Sequence, residues 1–284
     1  MASATLPLLV GTGVFLGVGM PLARWLAPQG VDPLAFALWP TAAAGLVLAA
    51  LATARGASLL RWPLLRFGAI AGATGYALPM TLAFWLAGRA GAGYAAMAFT
   101  MPPLFTLGAN LLLRRERWAW MRAAAIAVGL AGAVLLVAQS PSASQGDAWA
   151  LVAVFAIPAL IGGTNVYRSI HLPRGVPAPA LGSLTLLSAS ALLLAAALAT
   201  DAAEVPVSAP VLGGLGAQAA ALVVGYVLYF ELQKRAEPVV FSFMGYVTML
   251  TGVGAGLLVL GEPARWTLLP GMALILLALR MVAR

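Results

Sequence analysis

The chain has no cysteine, a single histidine and few charges: Asp, Glu, Lys and Arg together make up 8% of 284 residues. The lack of thiols excludes disulfides and thiolate metal sites. With His171 as the only imidazole, HExxH zinc chemistry is excluded and a Ser-His triad has no support. The scarcity of charge decides most. A chain that is 62% hydrophobic, with a mean hydropathy of +0.98, cannot cover a water-facing surface of its own size. What it has instead is a succession of apolar blocks of about 20 residues, enough for each to cross a bilayer core as a helix. They run from Leu6 to Val282 with only short loops between them. The sequence reads as an all-α integral membrane protein with lipid as its solvent. The net charge of +8 comes from arginines scattered among these blocks, so it points to membrane orientation and away from nucleic acid. The first block lacks a charged n-region and a small-residue cleavage site before Pro21, and reads as a retained span.

The blocks predict ten transmembrane helices near residues 5–24, 33–54, 65–88, 91–113, 119–138, 147–169, 177–199, 208–232, 237–260 and 265–283. Lys and Arg collect on the cytoplasmic side of bacterial membranes. With both termini inside, the cytoplasmic set is Arg55, Arg61, Arg66, Arg114, Arg115, Arg117, Arg122, Arg168, Arg174, Lys234, Arg235, Arg280 and Arg284. The opposite set is only Arg24, Arg89 and Arg265, while Asp32, Asp147, Asp201, Glu204 and Glu262 lie in outer loops. A nine-span reading scatters the arginines and loses this asymmetry. The expected localisation is therefore a multi-pass protein of the bacterial cell inner membrane with both termini cytoplasmic.

The chain also repeats itself. Residues 89–120 superpose on 235–266 at a constant offset, matching Arg89-Ala90 with Arg235-Ala236, Glu116 with Glu262 and Trp120 with Trp266. A register one residue shorter matches Gly17 with Gly162, Pro28 with Pro173 and Gly30-Val31 with Gly175-Val176. The halves, 1–140 and 141–284, then hold five helices each. Five is odd, so the second half enters the membrane upside down. Inverted-topology repeats of this kind mark many secondary transporters, with a solute site between the halves and access that alternates as they rock.

These residues carry a family resemblance. Leu260-Gly261-Glu262-Pro263-Ala264-Arg265-Trp266, followed by Gly271 and Leu274-Ile275-Leu276, resembles the last hairpin of the ten-helix, EamA-type drug/metabolite transporter superfamily. A first-half copy, Arg115-Glu116, Trp120 and Gly129, departs from the pattern with arginine where glycine is usual. Within the superfamily the chain is similar to the amino-acid exporter branch, most of all to its aromatic amino-acid exporters. The resemblance implies a central cavity ringed by the first, third, fourth, sixth, eighth and ninth helices. It also implies a membrane exporter of amino acids, with small-molecule solutes and lipids as partners, no nucleic acid, no cofactor, and a chain that can act as a monomer.

Helix breakers at membrane depth are tolerated where they line a cavity or are buried in protein. Pro79 lies halfway along the third span, Pro102-Pro103 interrupts the fourth, Pro158 lies mid-sixth, and Gly225 matches Pro79 in the eighth. Around these breaks the polar and soft side chains predict a substrate-binding set: Tyr76, Pro79 and Met80 on the third helix, Met97 and Met101 on the fourth, Asn165 on the sixth, Tyr226 on the eighth, and Tyr246 and Met249 on the ninth. Such a lining suits small amphipathic solutes of varied side chain, because Met repacks easily. No charge falls in the central two turns of a span, so no proton relay is expected. Two other readings stay open. An exporter of drugs or organic cations fits the same lining. An intramembrane enzyme acting on lipid-linked substrates would need a catalytic cluster, for which only the Arg114–Arg117 segment is dense enough. No catalytic or metal-ligating residue is expected.

Overall fold

The computed structural model describes residues 5–90, 98–137, 148–259, 261 and 268–283, and every regular element among them is helical. The helices are α1 Thr5–Gly17, α2 Gly19–Leu26, α3 Pro33–Ala54, α4 Trp62–Gly72, α5 Leu78–Ala90, α6 Pro102–Leu112, α7 Trp120–Val137, α8 Ala148–His171, α9 Ala178–Ala199, α10 Ala209–Gln233, α11 Pro238–Ser242, α12 Met244–Leu258 and α13 Leu268–Ala283. Among the described residues, five stretches are long and apolar enough to cross a membrane: Thr5–Gln29, Pro33–Ala54, Ala178–Ala199, Ala209–Gln233 and Pro238–Leu258. Large apolar side chains stand on the outside, Leu46 at 62% exposure and Leu198 at 64% among them, as a lipid-facing surface requires.

Of the expected breaks, Pro102-Pro103 is a helix start, whereas Pro158 lies inside α8. α3, α4, α6, α9, α10 and α11 each carry proline in the first two positions, where the missing N–H would lack an intrahelical partner anyway. Asp32 caps α3 by accepting from the Leu34 amide at 2.7 Å, and Ser208 caps α10 through the Val211 amide. Pro79 is different. It follows a π-turn, Ala73–Ala77, that joins α4 to α5. A proline ring crowds the carbonyl four residues back, here that of Gly75, and the wider π-turn makes room for it. The first span also divides, at Val18, yet its hydrogen bonds Val18 N–H to Val14 O and Leu22 N–H to Val18 O, both 3.2 Å, run through the break.

The packing repeats between the halves. α3 lies against α9, and α7 against α13. α1 packs on α10 and α12, while its counterpart α8 packs on α5 and α6. α10 touches α3, and correspondingly α4 touches α9. Glycine seams reproduce this at the level of residues. A Cβ on Gly17 would lie 2.6 Å from Thr251, and one on Gly162 would lie 2.8 Å from Phe105. Gly17 and Gly162 are the pair matched by the shorter register, and Phe105 and Thr251 are matched by the longer one. Lipid tails are as apolar as side chains, so close approach and dispersion hold these helices together. Elsewhere the fit varies: a Cβ on Gly68 would lie 2.7 Å from Leu184, whereas one on Gly252 would make only ordinary contact with Met20 at 3.5 Å.

The departure at Arg115 has a backbone counterpart. Gly261 takes a left-handed φ of 65°, but in the first half the left-handed residue is Arg114, with φ 52°. The turn closes one residue earlier there, with the Arg115 amide donating to the Asn110 carbonyl at 2.9 Å. The remainder of the Leu260–Trp266 signature lies outside the described residues.

Candidate functional site

Three helices bring polar side chains into the middle of the bundle. The π-turn presents Tyr76, whose hydroxyl accepts from Thr41 Oγ1 at 3.0 Å. α10 presents Tyr226 and Tyr229, one turn apart, their rings stacked at 5.3 Å, with Tyr76 edge-on to Tyr226 at 6.4 Å. α8 presents Thr164, Asn165 and Arg168. Thr164 Oγ1 and Thr74 Oγ1 are 2.7 Å apart, and Asn165 Nδ2 donates to Thr106 Oγ1 at 3.3 Å.

Arg168 is the buried residue that the sequence pattern did not single out. Counted above among the orientation charges, it is in fact 1% exposed. One guanidinium nitrogen donates to the Tyr229 hydroxyl and the other to the Ala71 carbonyl at 2.9 Å, while the charge sits 5.1 Å from the Tyr229 ring centroid. Nε has no protein partner, and no carboxylate pairs with the group among the described residues. Space for it exists because residue 75 is glycine; a Cβ there would strike the guanidinium and Thr164. Burying an ion without a counter-charge costs several kcal/mol even after relaxation. A cation–π contact and two neutral acceptors return only part of that. The signal was present: Thr164, Asn165 and Arg168 are spaced to share one face of the sixth span.

The expected site residues divide. Tyr76 and Tyr226 come together, with Pro79 buried beside the π-turn and Met80 packed with Tyr76 on the Leu38–Leu193 cluster. Asn165 is buried one turn from Arg168 and spends its amide on Thr106. Tyr246 points elsewhere: its hydroxyl donates to the Ile126 carbonyl at 3.4 Å, and its ring lies where a Cβ on Gly129 would be, which places it in the α7–α12 seam. Met249 packs on the main core cluster, and Met101 on a separate one with Ala98 and Ile157. Met97 lies outside the described residues.

Beyond this cluster a vestibule of about 690 Å³ opens at one end of the bundle. The loop after α6 and the loop after α10 both line it, and Arg122 joins them by pairing with Glu116 and with Glu237. Glu231, also at this end, pairs with Lys234 at 2.9 Å and Arg235 at 3.2 Å. At the opposite end Trp39 Nε1 donates to the Ala203 carbonyl at 2.8 Å, which holds the segment of Asp201 and Glu204 against the start of α3.

A solved crystal structure is similar in fold, with a TM-score of 0.81 and 21% sequence identity over 99% of this chain and 96% of that one. No curated protein matches the chain. The EamA-like transporter family matches twice, over residues 4–138 and again over 146–284. The two matches fall on the two halves whose packing repeats, and the chain belongs to the EamA-like transporter family.

Proposed function

We propose that this chain is an inner-membrane exporter of amino acids that works by alternating access. In this reading the thirteen α-helices among its described residues belong to ten crossings, its halves are inverted, and both termini are cytoplasmic. The observation that carries it is the exchange of partners between halves: α1 on α10 and α12, α8 on α5 and α6. Two copies of one packing scheme offer two equivalent ways to close around a shared centre, one for each side of the membrane.

The centre favours amino acids over organic cations. A buried guanidinium repels a cation and attracts a carboxylate. The faces of Tyr76 and Tyr226 can take an ammonium or an apolar side chain, each cation–aromatic contact giving about 0.5–2 kcal/mol. Among the described residues no Asp, Glu or His joins this cluster, which fits downhill movement without an intramembrane proton relay.

The test is efflux of labelled amino acids from liposomes containing the purified protein. Saturable efflux without an imposed pH gradient is expected. Tyr76→Ala and Tyr226→Ala should lower it without loss of folded protein. Efflux only of cationic dyes, or only under a pH gradient, would overturn this reading.

A further inference from the structure

The vestibule is more than an opening. Its floor holds two amides that are almost wholly buried, Asn110 at 2% and Gln233 at 4% exposure. Asn110 Nδ2 donates to Glu116 at 3.3 Å, but Asn110 Oδ1 and both polar atoms of the Gln233 amide have no partner among the described residues. Leaving such groups unpaired costs about 1–3 kcal/mol each. The lining is also electropositive. Five cationic side chains face two carboxylates, Glu116 and Glu237, both engaged by Arg122, and a third carboxylate, Glu231, pairs with Lys234 and Arg235, which leaves a surplus of positive charge. Arg115 and Arg117 are exposed at the rim with no ion pair among the described residues.

The floor leads inward. On α10, Gln233 lies one turn beyond Tyr229, and Tyr226 lies nearly one turn deeper, about 6 Å and then about 4.5 Å along the axis. On α6, Asn110 lies one turn beyond Thr106, which holds Asn165. On α8, Ser169 lines the vestibule and its neighbour Arg168 holds Tyr229. Polar side chains about one turn apart therefore run inward from the vestibule on α6 and α10, and on α8 the vestibule residue Ser169 adjoins the buried guanidinium.

We infer that the vestibule is a capture site for the carboxylate end of the transported solute, held by the Asn110 and Gln233 amides and the rim arginines before Arg168 takes it. This rests on the transport reading above. Gln233 Nε2 supplies a free donor for the carboxylate, Gln233 Oε1 and Asn110 Oδ1 supply acceptors for an adjacent ammonium, and the surplus positive charge draws the anion to the mouth.

The experiment is calorimetric binding to the full chain in phosphatidylcholine nanodiscs, beside efflux from liposomes. The probes are phenylalanine, phenylalaninamide and inorganic phosphate. Phenylalanine should bind about tenfold or more tightly than its amide, the fold-change of one lost hydrogen bond to a charged group. Gln233→Leu should weaken phenylalanine binding and raise the half-saturating concentration for efflux, with the saturated rate kept. Arg117→Gln, on the exposed rim and away from packed residues, should do the same to a smaller degree even if Gln233→Leu fails to fold. Equal binding of the amide, unchanged binding in Arg117→Gln, or phosphate that binds without displacing phenylalanine would overturn the inference. So would an Arg117→Gln effect confined to nanodiscs of anionic lipid, which would assign the rim to headgroups. Failure of the two readings is distinguishable. Binding lost in the variants with no efflux of any solute defeats transport alone, and efflux with unaltered binding defeats the vestibule alone.

Discussion

α8 and the divided helix α1–α2 occupy equivalent places, each packed by a glycine against its partner in the other half. Their chemistry is nevertheless opposite. At the positions matched to Thr164, Asn165 and Arg168, the first helix pair has Gly19, Met20 and Ala23. The backbone scheme is symmetric while the polar face exists once. In the proposed alternating-access cycle, symmetry would supply the two closures and a single face the recognition, so the solute would meet the same anchor from whichever side the centre is open. The latch is one-sided as well: Arg122 ties Glu116 to Glu237, and its matched position holds Leu268.

The sharpest way to break this comparison is to make the two helices alike. Arg168→Met should lower amino-acid efflux by about tenfold or more, the fold-change of one lost charge-assisted hydrogen bond. Its melting temperature should stay near that of the parent, because an apolar side chain of similar length removes the cost of burying the charge. Thermal melting beside liposome efflux checks both.

Next come the seams. Gly17→Val and Gly162→Val each force atoms into a space already filled at under 3 Å. Overpacking of this kind costs about 1–3 kcal/mol. Denaturation in detergent should show similar losses for the two variants. A loss in only one would mean that the repeated packing is not equally important in both halves.

Arg122→Gln releases two carboxylates from one guanidinium. The pairs are partly exposed, so the stability change should be small, about 0.2–1 kcal/mol for a surface pair. Cross-linking between engineered cysteines at positions 117 and 236 should report a wider separation of the two loops.

The smallest effects belong to the two turns. Arg114→Gly should stabilise the chain by about 0–1 kcal/mol, the relief of a left-handed arginine less the entropy that glycine adds to the unfolded chain, and Gly261→Ala should destabilise it by a similar amount. Opposite shifts in melting temperature are the expected result.

Helix limits were legible where a side-chain cap and an initial proline coincide: Asp32-Pro33 and Ser208 through Pro210 place α3 and α10 almost to the residue. The irregularity at Pro79 was also legible, because a missing N–H in mid-span has to be accommodated somewhere. Rotation about the helix axis was not. Tyr226 and Tyr246 look alike in sequence, yet one faces Tyr76 and the other fills the notch at Gly129, and only neighbouring helices decide which. Arg168 was obscured for a related reason. It stands three residues from the end of α8, where a long cation normally reaches water, and its confinement depends on Ala71, Gly75 and Tyr229 from two other helices.

The notch at Gly75 ties two distant codons together. Any larger residue there evicts the guanidinium, while a shorter residue at 168 leaves a hollow in its place. Drift at either position must be answered at the other, and relatives that have lost the arginine should be free to lose the glycine too.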